Sequence, residues 1–188
     1  MTIVLCENDK ASLQFFFPIG EQSLSMAVCI VYHSETGHTR AVAEYAARAT
    51  GATLTAVRDC ASYNAITRYL VGARCARRSD RATIDPAVID VSSYDGIAVG
   101  SPVWAWHPTP AINAAIAALH GCEGKRGIVF TTSGGMPGET LPMMRGAVEA
   151  RGVRVEQMLH FDRKDLTDNQ KLEELVAAIN AMSGASPR

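Results

Sequence analysis

The sequence predicts an α/β chain folded as a three-layer sandwich, with helices on both faces of a five-stranded parallel sheet of order 2-1-3-4-5. Three observations carry this. Apolar runs alternate with helical periodicities from residue 26 to residue 182. The third and fourth runs, at 96–100 and 127–131, are apolar almost throughout, as strands covered on both faces must be. Finally, the hexapeptide Ser34-Glu-Thr-Gly-His-Thr39 stands between the first run and the first helical pattern. In such sheets ligands lie at the carboxyl ends of the strands, here strands one and three.

The elements follow in order. Strand one is Met26-Ala-Val-Cys-Ile-Val-Tyr-His33, and helix one runs from Thr39 to about Thr50, with Val42, Ala46 and Ala49 on one face and Gly51 placed for the cap. Strand two covers about 52–58. Residues 59–93 are the least regular; Ile66 to Arg78 reads as a second helix with Ile66, Leu70 and Ala73 inward, and Asp85-Pro86 breaks the pattern. Arg68, Arg74, Arg77 and Arg78 mostly face outward, and with Arg81 they form either a solvated surface or a dock for an acidic redox partner or a dinucleotide phosphate. Strand three is 96–100. Helix three carries Ile112, Ala115, Ile116 and Leu119 between Pro108, Pro110 and Gly121. Strand four is 127–131, helix four carries Leu141, Met144 and Val148 before Gly152, and strand five is about 153–159. The last helix starts near Thr167 with Leu172, Leu175, Val176, Ile179 and Met182 at helical spacing.

Composition narrows the function. With 188 residues, 47% of them apolar and 20% charged, the chain can build one sizeable core, so residues 26–188 read as a single domain. A formal charge of −1 gives no field for nucleic acid or an acidic membrane surface. The five cysteines (Cys6, Cys29, Cys60, Cys75, Cys122) are far apart and make no Cys-x-x-Cys, which disfavours a disulfide framework or iron–sulfur cluster and makes a reducing cytoplasm the default. No apolar run is long enough to span a bilayer. His33, His107, His120 and His160 are scattered, which gives no metal site. Residues 1–25, with Phe15-Phe-Phe-Pro18 but no signal-peptide pattern, read as a weakly ordered extension ahead of Met26.

The hexapeptide brings three hydroxyls, a glycine free to take positive φ and the orphan N–H groups of a helix start into one place, which is a cradle for a phosphate. It contains no Lys or Arg. Neutral donors and the helix dipole suit a terminal monophosphate held in place. Ser34, Thr36 and Thr39 are the side-chain donors in this reading; Glu35, Gly37 and His38 contribute mainly backbone N–H. The plainer alternative is an ordinary helix cap. Walker, Gly-x-Gly-x-x-Gly and Gly-x-Ser-x-Gly patterns are all absent, which removes the P-loop, Rossmann and α/β-hydrolase readings.

Ser34-x-Thr36-Gly37-x-Thr39 after an N-terminal strand resembles the FMN-phosphate loop of the flavodoxins and the flavodoxin-like NAD(P)H:quinone oxidoreductases. The segments Tyr94-Asp-Gly-Ile-Ala-Val-Gly-Ser-Pro-Val-Trp104 and Ile128-Val-Phe-Thr-Thr-Ser-Gly-Gly135 agree, and the resemblance spans roughly residues 26–182. It implies that the second loop (Ser101, Pro102, Val103, Trp104, Ala105, Trp106) and the third (Thr132, Ser133, Gly134, Gly135) hold the isoalloxazine ring, with Trp104 or Trp106 stacking on it; the alternative packs one or both indoles under the loop. The third loop lacks the aromatic that electron-carrier flavodoxins usually place there, so one ring face is open to substrate or covered by another subunit in a homo-oligomer. The implied function is FMN-dependent electron transfer, or reduction of a quinone-like acceptor by NAD(P)H. The alternatives are a small carrier that serves redox partner proteins only, and a flavin-free binding module.

Overall fold

The computed structural model describes residues 27–60, 81–166 and 169–182. The expected extension over 1–25 and the expected helix over 66–78, with its arginines, lie outside the described residues. In chain order the described elements are β1 (Val28–His33), α1 (His38–Thr50), β2 (Thr53–Asp59), β3 (Ile84–Asp85), β4 (Ile89–Asp90), β5 (Gly96–Trp104) and β6 (His107–Pro108), followed by α2 (Pro110–Ala117), β7 (Leu119–His120), β8 (Arg126–Thr132), α3 (Thr140–Glu149), β9 (Arg154–Phe161) and α4 (Asn169–Met182).

Every residue of β1 is buried. Its side chains alternate between two cores, Cys29 and Val31 in one, Val28, Ile30 and Tyr32 in the other, as a central strand requires. It pairs in parallel with β2 and β5; β5 pairs with β8, and β8 with β9. The long strands therefore run β2-β1-β5-β8-β9, which is the expected order 2-1-3-4-5. Helices α1 and α4 cover the Ile30 face, while α2 and α3 cover the Val31 face. From α4, Leu172, Leu175, Val176, Ile179 and Met182 are all buried as the periodicity predicts, each worth about 1.5–3 kcal/mol of apolar transfer.

The structure departs from the sequence reading at the edges. The sheet is mostly, not wholly, parallel: β3 adds antiparallel to the end of β2, with Arg58 opposite Asp85, and β6 folds back antiparallel on β5. The third strand continues four residues past Gly100, because Pro102 occupies the last paired position against β8, opposite Thr132, where its missing N–H removes nothing from inside the ladder. Helix α2 is capped at Ala118, so Leu119 sits in β7 rather than on the helix, buried against the same core. On α1 the buried positions are Thr39, Val42, Ala43 and Ala46, whereas Ala49 is exposed.

Candidate functional site

The carboxyl ends of β1, β5 and β8 bring the three singled-out loops to one edge of the sheet. At the first, Gly37 stands at φ 91° and precedes α1 without any side-chain cap hydrogen bond. A Cβ built on Gly37 would touch nothing within 4 Å, so backbone conformation and not crowding requires glycine there. Ala41 donates the first helical hydrogen bond, to the Gly37 carbonyl at 2.9 Å, which leaves the N–H groups of His38, Thr39 and Arg40 without an intrahelical acceptor.

The three hydroxyls differ. Ser34 Oγ is buried and has no partner among the described residues. Thr36 is exposed, its Oγ1 3.2 Å from His38 Nδ1. Thr39 is 1% exposed, and its Oγ1 lies 2.8 Å from Thr132 Oγ1, a buried bridge from the first loop to the third. Glu35 turns its carboxylate to His33, Oε1 at 3.7 Å from Nε2, while His33 Nδ1 lies 2.9 Å from the Val57 carbonyl. On the β2 side of this loop a polar cleft of about 540 Å³ is lined by residues including His33, Ser34, Arg40 and Asp59.

The second loop is a two-residue β-hairpin. Val103 pairs with Pro108 and Trp104 with His107, and both connecting residues take positive φ, Ala105 at 48° and Trp106 at 68°. Such turns select Asn-Gly or Gly-Gly; Ala and Trp there are strained and are held by their surroundings. The brace is visible: Glu139 N–H donates to the Trp106 carbonyl at 3.0 Å, and a Cβ on Gly138 would come within 2.3 Å of Trp106 Cβ. Trp106 is 57% exposed, Trp104 only half-buried. Ser101, fully buried, accepts from Thr109 N–H at 3.2 Å and donates to the Pro102 carbonyl at 2.9 Å, so it fastens the base of the hairpin.

In the third loop Thr132 is buried, Ser133 half-buried and Gly134 and Gly135 exposed. A Cβ on Gly135 would meet nothing within 4 Å, and one on Gly134 only Arg163 Nε at 3.8 Å, so the space over the glycines is open. Ser133 donates to the Gly135 carbonyl at 2.6 Å and its Oγ lies 2.8 Å from His160 Nε2. In the sequence His160 is one of several scattered histidines. Its place at the carboxyl end of β9, beside Thr131 of β8, is the signal that could have found it. Burial pushes the His160 imidazole below the ordinary histidine value and Lys171 adds to the effect, against the opposing pull of Asp165 and Asp162. Thr131 Oγ1, next to this loop, is also buried with no partner among the described residues.

Among the described residues these loops bring together a buried hydroxyl and helix N–H groups without acceptors at one strand end, and open glycine backbone and an exposed indole at the others. A family model described as flavodoxin matches residues 27–143. Solved structures share the fold at low identity. A protein of Bacteroides uniformis ATCC 8492, proposed to be a flavoprotein, has a TM-score of 0.66 and 20% identity, covering 83% of this chain and 99% of that one. A flavoprotein in complex with FMN from Lactobacillus acidophilus NCFM has a TM-score of 0.58 and 19% identity, covering 76% and 97%. An NADH:FMN oxidoreductase in its apo form has a TM-score of 0.55 and 16% identity, covering 87% and 91%. No curated protein matches the sequence. Among the described residues no helix is long and apolar enough to cross a membrane.

Proposed function

This chain belongs to the flavodoxin family, and from that premise we propose that it binds FMN and passes electrons from NAD(P)H to a quinone-like acceptor. The observation that carries the cofactor assignment is Ser34 Oγ, a buried hydroxyl without a partner among the described residues, beside a helix start whose first N–H groups have no helical acceptor. A lone buried hydroxyl costs about 1–3 kcal/mol, a cost that a phosphate oxygen removes. The residues fit the group: Ser34, Thr36 and the amides of Gly37, His38 and Thr39 would hold the phosphate, with no lysine or arginine inside the loop to compete for it.

Bound FMN would supply the electron chemistry through its ring; the protein supplies binding, orientation and shielding from water. Trp104 and Trp106, carried on the strained hairpin, are the stacking surfaces. Gly134 and Gly135 let backbone approach closely. Thr39 contributes through its amide and through the hydroxyl pair with Thr132, which fixes the spacing of the two loops. The structural neighbours named as an FMN complex and as an NADH:FMN oxidoreductase make a nicotinamide the donor to test first.

The visible absorption spectrum of the purified chain, before and after adding FMN, tests the cofactor: a bound yellow flavin is expected, and a colourless protein that leaves FMN fluorescence unquenched contradicts it. Stopped-flow mixing of the loaded protein with NAD(P)H tests the reaction. Prompt two-electron bleaching is expected, and inertness to both nicotinamides would make the chain a carrier for protein partners.

A further inference from the structure

His160 ends its strand half-buried, with Nε2 2.8 Å from Ser133 Oγ, across 27 residues of sequence. The same oxygen donates to the Gly135 carbonyl at 2.6 Å and accepts from the Gly135 N–H at 3.2 Å. A hydroxyl has one hydrogen and two acceptor directions. With the hydrogen committed to Gly135, Ser133 Oγ can only accept from His160, so Nε2 must carry a proton. The opposite tautomer would turn the Ser133 hydrogen toward Nε2 and leave two acceptor oxygens 2.6 Å apart.

We propose that His160, as its Nε2–H tautomer, is a positioning residue that locks the third loop into the shape that presents Gly134 N–H to a ligand. The proposal rests on the FMN reading only where cofactor affinity is the readout. Ser133 spends its whole hydrogen-bonding capacity within the protein, and its own N–H donates to the Phe161 carbonyl at 3.0 Å. Gly135 N–H is taken by Ser133. Among the described residues Gly134 N–H has no acceptor, and a Cβ built on Gly134 would meet only Arg163 Nε at 3.8 Å. Ser133 is thus a brace and not a ligand-binding hydroxyl. Lys171, Asp162 and Asp165 surround the imidazole, and Lys171 Nζ also donates to the His160 carbonyl at 3.3 Å and to Asp165 at 2.8 Å, which anchors the strand end that carries the ring. The imidazolium also bears a proton on Nε2, so the brace survives acidification.

Long-range ¹H–¹⁵N NMR of the flavin-free chain reads the tautomer directly: His160 protonated on Nε2 is expected, with that proton slow to exchange with solvent and the protection lost in Ser133→Ala. In FMN titrations, His160→Gln, whose amide N–H can replace Nε2–H, should bind within about threefold of the parent, while His160→Ala should bind about tenfold more weakly, the worth of one hydrogen bond. An Nδ1–H tautomer, an Nε2–H exchange rate unmoved by Ser133→Ala, or equal affinities of the Gln and Ala variants would each overturn the proposal. A parent chain that binds no FMN would sink the cofactor reading instead, and the tautomer would still decide the brace.

Discussion

The first and third loops, tied by the Thr39–Thr132 hydroxyl pair, treat their polar groups in opposite ways. The Ser34–Thr39 loop keeps donors in reserve: a buried hydroxyl without a partner among the described residues and helix N–H groups with no acceptor in the helix. The Thr132–Gly135 loop ties its hydroxyls within the protein, with Thr132 on Thr39 and Ser133 on Gly135 and His160. A buried hydroxyl left without a partner costs free energy that an acceptor from outside would remove, whereas a loop whose hydroxyls bond within the protein is fixed by its own contacts. The hairpin between them follows the second pattern, strained at Ala105 and Trp106 but fixed by Gly138 and Glu139.

The largest effect is expected where the rigid side is broken. Gly138→Ala would place a Cβ 2.3 Å from Trp106 Cβ at a residue with φ 55°. Overpacking and left-handed strain together should cost roughly 2–5 kcal/mol, read by chemical denaturation; a parent-like midpoint would show that the hairpin needs no such brace. On the open side, Ser34→Ala should lower FMN affinity by about 1.5–3 kcal/mol, a charge-assisted hydrogen bond, while leaving the flavin-free chain at least as stable, because it removes an unsatisfied hydroxyl. Equal losses in both measurements would contradict the contrast between the loops.

The tie between the loops predicts a non-additive pair. Thr39→Val or Thr132→Val alone strands a buried hydroxyl and should cost about 1–3 kcal/mol, whereas the double variant should recover most of it; additive losses would mean the bridge seen at 2.8 Å contributes nothing. The smallest effect is a slope in pH. The folded chain resists protonation of His160, so its pKa is lower folded than unfolded. This contribution is intact above the ordinary value of 6.5 and declines as pH falls from there toward the depressed folded value. Comparing stability against pH for the parent and His160→Gln should show a shallower acid decline in the variant; parallel curves would remove the shift.

What could be read from the chain divides along the same line. The features of the open loop are local, since Gly37 and the hydroxyls lie within six residues of a strand end, and alternating runs joined by right-handed crossovers point to the sheet order. Those of the rigid loops are not. Ala105-Trp106 carries no Asn or Gly to signal a tight hairpin, since its positive φ values are enforced by Gly138, 32 residues beyond Trp106. Ser133 reads as a free donor until β9 brings His160 to it, and nothing near Thr39 in the sequence signals the hydroxyl of Thr132, 93 residues away, that meets its own. Long-range hydrogen bonds decide which polar groups are already taken, and sequence spacing carries no trace of them.

The central claim is that the Ser34–Thr39 loop grips a phosphate, and parallel fluorescence titrations of the purified flavin-free chain with FMN and with riboflavin test it most directly. One FMN per chain is expected, bound at least about a hundredfold more tightly than riboflavin, the worth of two charge-assisted hydrogen bonds. Riboflavin binding as tightly as FMN, or neither binding, would contradict it.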